Sequence, residues 1–247
     1  MTNTEDALAP LALLPGVAEA VDATRAAMDA LLREPALRRR RGEVRASARV
    51  HSAWASATLA GASVALDAFH PPFPEDESGR LASAALSAAS EVGGLASTWR
   101  SAPLQVIARL HSIAAVQIAS SSLLGRPRST PGVGDRLTAL ADAAASTSVS
   151  GVVLSGVVHA ELMTLQPFGT VDGIVARAAS RVVLVQTGVD PDALVVPEMG
   201  IVELGEPEYR QALDGFAGGT SEGLAHWLTF HAAAVQRGAA FARTLCR

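Results

Sequence analysis

Lysine is absent from this chain of 247 residues, and all 20 of its basic residues are arginine. Charged residues make up only 18% of the sequence, and the formal net charge is −4. Proteins that bind nucleic acid without sequence preference need a basic surface. The composition therefore argues against that class of function, and we expect no nucleic-acid partner.

Cysteine is almost absent as well, since Cys246 is the single one. One thiol cannot form an intrachain disulfide or a cysteine metal cluster. Residues 1–15 include Glu5 and Asp6 and lack a basic leader followed by an apolar segment, which argues against a signal peptide. These features predict a cytoplasmic protein.

The sequence also lacks the run of ~20 strongly apolar residues that a membrane-spanning helix requires. The most apolar stretch, residues 149–163, contains His159 and Glu161. We therefore expect a buried core helix at this position and no membrane partner.

Hydrophobic residues make up 49% of the chain, and alanine is abundant. Alanine favours helices, and alternating strand patterns are scarce, so the sequence predicts an all-α fold. Three prolines at 71, 72 and 74 must interrupt any helix. We expect a helix over 43–69, an N-terminal helical region at 1–70 and a helical core at 75–247.

The most informative segment is residues 159–177, HAELMTLQPFGTVDGIVAR. An apolar stripe predicts a helix that begins after a Ser150 cap and stops at Pro167. A tight loop follows, and the next helix is expected to open at Asp172 or Gly173. Further on, Thr220 or Ser221 can cap the last helix.

This helix–loop–helix order resembles the core of the Fic (Fic/Doc) family, in which a His-Pro-Phe sequence leads through x-Asp/Glu-Gly-Asn-Gly to Arg-x-x-Arg. Pro167, Phe168 and Arg177 match that pattern. Gln166 stands in place of the histidine, and Thr170 in place of the acid. The resemblance implies a helical bundle related to enzymes that transfer AMP from ATP to a protein hydroxyl.

The resemblance extends over roughly residues 45–245. Residues 125–128, Gly-Arg-Pro-Arg, resemble the family's Gly-x-x-Arg near a short flap that docks the target. Residues 56–61, Ser-Ala-Thr-Leu-Ala-Gly, are similar to the inhibitory motif Ser-x-x-x-Glu-Gly, with Ala60 where the family has glutamate. The resemblance therefore implies an N-terminal helical extension with a degenerate inhibitory motif.

The substitutions predict a loss of the chemistry that the resemblance implies. Gln166 cannot accept a proton near neutral pH, and Thr170 lacks a carboxylate to hold Mg²⁺. Val171 stands where the family has glycine, and its branched side chain should resist a positive φ. Ile174 replaces the first arginine and removes a phosphate-binding guanidinium.

The remaining polar groups offer a reduced ligand site made of Arg177, Asp172, Gly173 and Arg128. Asp172 is expected to act as the N-cap of the second helix and to satisfy its N–H groups. Arg177 is then expected to pair with a nearby acid, with binding of an anion as the alternative. We expect no confident catalytic residue, no metal and no cofactor.

Other candidate residues have mainly structural interpretations. His159 is expected in the core, and it cannot share a metal with Glu161 because residues two apart face different sides of a helix. His111 has no partner at a helical spacing. The Arg38–Arg41 run predicts a solvated helix start, with a patch for an acidic partner or nucleic acid as the alternative.

The leading hypothesis is a degenerate Fic-like protein that lacks AMP transfer and serves as a protein-binding or regulatory module. The alternative is a transferase or another enzyme with altered chemistry in the Fic-type pocket, because a fold does not fix a reaction. A plain dimerisation or scaffold domain is a third possibility, and the resemblance itself makes a homodimer a reasonable expectation.

Overall fold

The computed structural model describes residues 6–247, so Glu5 and the four residues before it lie outside the described range. Within that range the chain forms eleven α-helices and no strand, which confirms the all-α prediction. Two short 3₁₀ turns span Leu66–Ala68 and Ser121–Leu123. The helices are α1 Ala9–Ala12, α2 Val17–Leu32, α3 Leu37–Thr58, α4 Glu77–Trp99, α5 Pro103–Ala114, α6 Val133–Ser146, α7 Gly151–Leu165, α8 Asp172–Gln186, α9 Pro197–Leu204, α10 Glu206–Gly218 and α11 Ser221–Thr244.

Two of the predicted helix caps are confirmed. The Ser150 hydroxyl accepts a hydrogen bond from the amide of Val152 at 3.3 Å at the start of α7. The Thr220 hydroxyl accepts one from the amide of Gly223 at 3.1 Å at the start of α11. Each bond satisfies a backbone donor that the helix itself leaves unpaired.

The helix expected over 43–69 is placed wrongly at both ends. The observed helix α3 covers Leu37–Thr58. It ends because Gly61 takes a φ of 98°, which lets the amide of Ala62 donate back to the carbonyl of Ala57 at 3.0 Å. This glycine-dependent bond is a common helix stop.

The bundle is organised around α7 and α8, which pack against each other. Every residue of α7 from Gly151 to Ala160 is buried, as expected for a helix that neighbours cover on all sides. Helix α4 covers α8, and α11 packs on α7, α9, α10 and α2. The indole N–H of the buried Trp227 donates to the carbonyl of Gly156 at 2.8 Å and ties α11 to α7.

Residues from both sides of position 70 share one hydrophobic core, for example Val17 and Ala53 with Val158 and Val182. The division into regions 1–70 and 75–247 stays a prediction about chain organisation. Across residues 6–247, no helix combines the length and the apolar character that crossing a membrane demands.

Candidate functional site

The α7–α8 loop holds the segment that the sequence singles out. Helix α7 ends at Leu165, and Gln166 follows in a left-handed conformation with φ 46°. Pro167 and Phe168 are buried, whereas the Gln166 side chain is exposed. The loop therefore anchors its apolar pair in the core and leaves the residue at the family's histidine position facing outward.

Val171 ends the loop with φ 49° and ψ 20°, the left-handed conformation that its branched side chain is expected to resist. Its carbonyl accepts the first helical hydrogen bond of α8, from the amide of Val175 at 3.0 Å. A β-branched residue in this region costs roughly 1–3 kcal/mol, which the surrounding structure must offset. The loop thus makes a left-handed turn at this position without a glycine.

Asp172 is the first residue of α8 and not its N-cap, so that prediction is wrong. Its carboxylate turns back toward the loop and accepts a hydrogen bond from the amide of Phe168 at 2.9 Å. Burial raises the pKa of Asp172, and the amides of Phe168 and Gly169 and the charge of Arg128 oppose that rise. A carboxyl group of the chain itself therefore lies against the loop amides.

Arg128 also serves the loop. Its guanidinium donates to the carbonyl of Gln166 at 2.9 Å and to that of Leu165 at 3.1 Å. Its amide donates to the carbonyl of Pro167 at 2.7 Å. Because carbonyls at a helix C-terminus lack partners within the helix, Arg128 stabilises the end of α7, and it joins the 125–134 flap to the loop.

His111 connects three parts of the site. Its ring stacks on Phe168 with the ring centroids 4.0 Å apart and an interplanar angle of 5°. Its Nδ1 accepts from the amide of Gly125 at 2.9 Å, and its Nε2 lies 3.0 Å from the hydroxyl of Thr170. One buried ring thus bonds both the flap and the loop.

These contacts determine the protonation of the ring. Burial lowers the pKa of His111 to about 4, so the imidazole is neutral at neutral pH. Since Nδ1 accepts a hydrogen bond, the proton is on Nε2, and the ring donates to Thr170. The hydroxyl at the family's acidic position is therefore engaged within the chain.

Within residues 6–247, Arg177 bonds to a serine and not to an acid, contrary to the expectation. Its side chain is 2% exposed, and Nε donates to the hydroxyl of Ser56 at 2.9 Å. One terminal nitrogen donates to the carbonyl of Ser56 at 2.8 Å. Ser56 opens the segment that resembles the inhibitory motif, so α3 holds this arginine without a glutamate.

Gly173 gives the Arg177 side chain room to pass. A Cβ atom at Gly173 would lie 3.2 Å from one terminal nitrogen of Arg177 and 3.4 Å from the sulfur of Met163. Ile174, at the position of the family's first arginine, is 1% exposed and belongs to the core. It contributes packing and offers no contact to an anion.

His159 lies in the core, as expected. Its Nε2 and the hydroxyl of Tyr209 are 2.8 Å apart, and its ring meets Trp227 edge-on. Burial holds the pKa of His159 well below its usual value, and the nearby His231 and Arg177 lower it further. The ring is therefore a neutral packing element beneath the loop.

An open cavity of about 320 Å³ remains in front of the loop. Gln166, Thr170, Asp172, Gly173 and Arg177 line it. Its remaining lining residues are Leu59, Ala60, Leu81, Met163, Gly169, Val171 and Ile174. With Ile174, six of the predicted positions thus share one cavity with Ala60, which stands at the inhibitory position, whereas Arg128 does not line it.

Sequence reasoning missed the roles of Ser56 and His111. Ser56 carried a signal, because it begins the motif that resembles the inhibitory segment. His111 carried none, since its contacts to Gly125 and Thr170 depend on the packing of α5 against α8. Among residues 6–247, no group of three or more His, Cys, Asp or Glu side chains is placed to hold a metal ion.

The fold and this loop define a class of protein, namely an all-helical bundle whose central pair of helices presents a short polar loop beside a flap. Solved structures of Fic proteins share that fold. A Fic family protein from Desulfovibrio desulfuricans G20 superposes with a TM-score of 0.72 at 17% identity, covering 93% of this chain and 74% of the other.

A fragment of Fic-1 from C. elegans gives a TM-score of 0.71 at 16% identity, covering 92% of this chain and 73% of that fragment. No family profile and no curated protein sequence matches the chain. The chain therefore has a Fic-like fold.

Proposed function

We propose that this chain is a degenerate Fic-like protein that does not transfer AMP and acts as a protein-binding or regulatory module. The observation that carries the proposal is the contact between the Asp172 carboxylate and the Phe168 amide at 2.9 Å. A loop that wraps a phosphate must offer its amides to the ligand. Here an internal carboxylate takes one of these amides and repels a second anion.

The chemistry of AMP transfer supports the same conclusion. A base must accept the proton of the target hydroxyl, and cations must neutralise the charge on the phosphates. Gln166 has an amide, which does not take a proton near neutral pH. Arg177 is buried and bound to Ser56, so its guanidinium is committed within the fold.

The direct test incubates the purified protein with labelled ATP and Mg²⁺, alone and with a cell extract that supplies target proteins. We expect no transfer of label to the chain or to other proteins. Loss of a general base alone lowers a rate by about 10²–10⁴-fold. Transfer that stops in a Gln166→Ala variant would overturn the proposal.

A gain-of-function variant sharpens this test. Gln166→His and Thr170→Asp together restore the base and the acid of the family's pattern. Asp172→Asn removes the carboxylate that accepts from the Phe168 amide. If the chain keeps the fold and has lost only the reacting groups, this triple variant should transfer more label than the wild-type chain, whereas the Thr170→Asp change alone should not.

The cavity supports a second candidate function, an enzyme with altered chemistry in the same place. The space in front of the loop measures about 320 Å³, within the usual size range of small-molecule sites. Burial raises the pKa of Asp172, which also lines it. A carboxyl group in a cleft whose pKa is raised is a candidate general acid or base.

A ligand that co-purifies in this cavity would favour the second candidate. Mass spectrometry of the denatured wild-type protein would detect it, and the Ala60→Leu variant, which enlarges a side chain of the cavity lining, should lose it. A comparison of the two samples therefore separates a retained small-molecule site from a plain binding module.

The proposed module would work in the cytoplasm, with a protein partner or a second copy of the chain. Support for a partner comes from apolar side chains left exposed near the flap, Val116 at 61% and Leu123 at 56%. Light scattering at several concentrations would measure self-association. A monomer at every concentration would remove the homodimer from the proposal.

A further inference from the structure

A second groove lies away from the α7–α8 loop, between α3, α4 and the segment after α8. It encloses about 460 Å³. Arg45 and Arg49 of α3, Gly93 and Gly94 of α4, and Arg181 of α8 line it. None of the positions assigned to the Fic-type loop contributes to it.

The groove carries an excess of positive charge. Arg45 and Arg49 lie one turn apart and are exposed, and neither has an acidic partner within 4.0 Å among residues 6–247. Asp192 is the one acid among the described lining residues, and it is already bonded to Arg41 at 2.9 Å. Like charges at this spacing repel each other, so the arrangement does not serve helix stability.

Arg181 forms the buried end of the groove. It is 3% exposed, and its Nη1 donates to the hydroxyl of Ser52 at 2.7 Å. Its Nε has no hydrogen-bond partner within the described part of the chain. The buried Glu198 shares a small cavity with Arg181, whereas the exposed charges of the groove belong to Arg45 and Arg49.

Three glycines leave the space open. Gly42 lies in α3, and Gly93 and Gly94 lie inside α4. A Cβ atom at any of the three would meet no atom within 4 Å, so no packing contact demands glycine here. Glycine inside a helix costs about 0.5–1 kcal/mol relative to alanine, yet all three border the same groove.

We propose that this groove binds a small phosphorylated molecule. Two adjacent guanidinium groups suit the paired oxygens of phosphate, which they can contact with two hydrogen bonds each. Val92, Val185 and Pro191 supply an apolar wall for the rest of the ligand. The volume suits a molecule up to the size of a nucleotide. This proposal does not depend on the function of the α7–α8 loop.

Calorimetric titration with pyrophosphate tests the site directly, with citrate as the carboxylate comparison. The wild-type protein should bind pyrophosphate more tightly than citrate. The double variant Arg45→Gln/Arg49→Gln should weaken pyrophosphate binding by about 100-fold, since a hydrogen bond to a charged group is worth roughly tenfold in affinity. The matched control is Arg38→Gln/Arg39→Gln, which removes two exposed charges of the same helix outside the groove.

A second pair of variants tests the space itself without a change of charge. Gly94→Leu should fill the groove and abolish binding, whereas Gly134→Leu, in α6 and also facing open space, should leave it unchanged. Circular dichroism would verify that all variants fold. No pyrophosphate binding at millimolar concentration, tighter binding of citrate, or equal losses in the control variants would each overturn the proposal.

Discussion

The α7–α8 loop and the arginine groove use their charges in opposite ways. In the loop, Asp172 accepts from the Phe168 amide and Arg177 donates to Ser56. In the groove, Arg45 and Arg49 face an open space without an acidic partner among the described residues. The loop satisfies its polar groups from within the chain, whereas the groove leaves charge available to a ligand.

This difference separates stability from binding. A buried polar group is costly unless it is hydrogen-bonded, so the internal bonds of the loop should hold the fold together. Exposed charges without partners contribute little to stability. Substitutions in the loop should therefore lower the free energy of unfolding, whereas substitutions in the groove should change ligand binding and leave the free energy of unfolding nearly unchanged.

The largest expected effect comes from Arg177→Met. Removal of this guanidinium leaves Ser56 without its buried donor. Two hydrogen bonds from a charged donor are lost, and together they are worth about 3 kcal/mol or more. Chemical denaturation of the variant should show that loss. Arg25→Met, on the exposed surface of α2, is the control and should leave the free energy of unfolding nearly unchanged.

The second effect is a loss of stability in acid that depends on His231. Burial lowers the pKa of His231 to about 4, from 6.5 in the unfolded chain. Between these values the unfolded chain takes up a proton that the native chain does not. The free energy of unfolding therefore falls as the pH drops from 6.5 to 4, by an amount on the order of 3 kcal/mol.

The buried acids act in the opposite direction over this range. Burial raises the pKa of both Asp190 and Glu198, so the native chain holds those protons more tightly than the unfolded chain does. A comparison of wild-type protein with His231→Gln isolates the histidine. The variant should show a shallower fall in acid, and identical profiles would contradict the assignment.

A smaller effect is expected for Asp172→Ala. The amide of Phe168 loses its acceptor, which costs about 1–3 kcal/mol if the amide stays buried. Thermal unfolding would measure the loss. Glu208→Ala, which removes an exposed carboxylate paired with His226, is the control and should cost less. Equal losses of stability in the two variants would mean that the contact between Asp172 and Phe168 stabilises the fold no more than an exposed ion pair does.

Val171→Gly should raise the free energy of unfolding by up to about 1 kcal/mol. Glycine tolerates the φ of 49° that strains valine. Loss of the valine packing offsets part of the gain. Val171→Ala loses that packing and keeps the strain, so it should be less stable than both. The reverse order of the two variants would show that the loop is not strained there.

The smallest expected effect lies in the groove. Arg49→Gln removes repulsion from Arg45 and should leave stability unchanged or raise it by a few tenths of a kcal/mol. Chemical denaturation of Arg49→Gln and Arg177→Met in parallel would compare the stability effects of the two regions in one experiment. A loss comparable to that of Arg177→Met would mean that Arg49 supports the fold.

Local sequence signals predicted much of the fold. The caps at Ser150 and Thr220, the stop at Pro167 and the opening of α8 at Asp172 follow from residues close in sequence. The error at the end of α3 is of the same local kind, because Gly61 was a readable stop signal.

The site contacts could not be predicted in this way. Ser56 and Arg177 are 121 residues apart, so their hydrogen bonds depend on how α3 reaches the start of α8. Val171 adopts a conformation that its own preferences oppose, because the helices on both sides fix the loop. In both cases tertiary packing outweighs the local signal.

The amides of Phe168 and Gly169 provide the most direct test of the central claim that the loop is filled from within. Their NMR shifts can be followed in wild-type protein as ATP and Mg²⁺ are added. We expect neither amide to shift in the wild-type protein at millimolar nucleotide, and both to shift in the Asp172→Ala variant. Saturable shifts of both amides in the wild-type protein would contradict it.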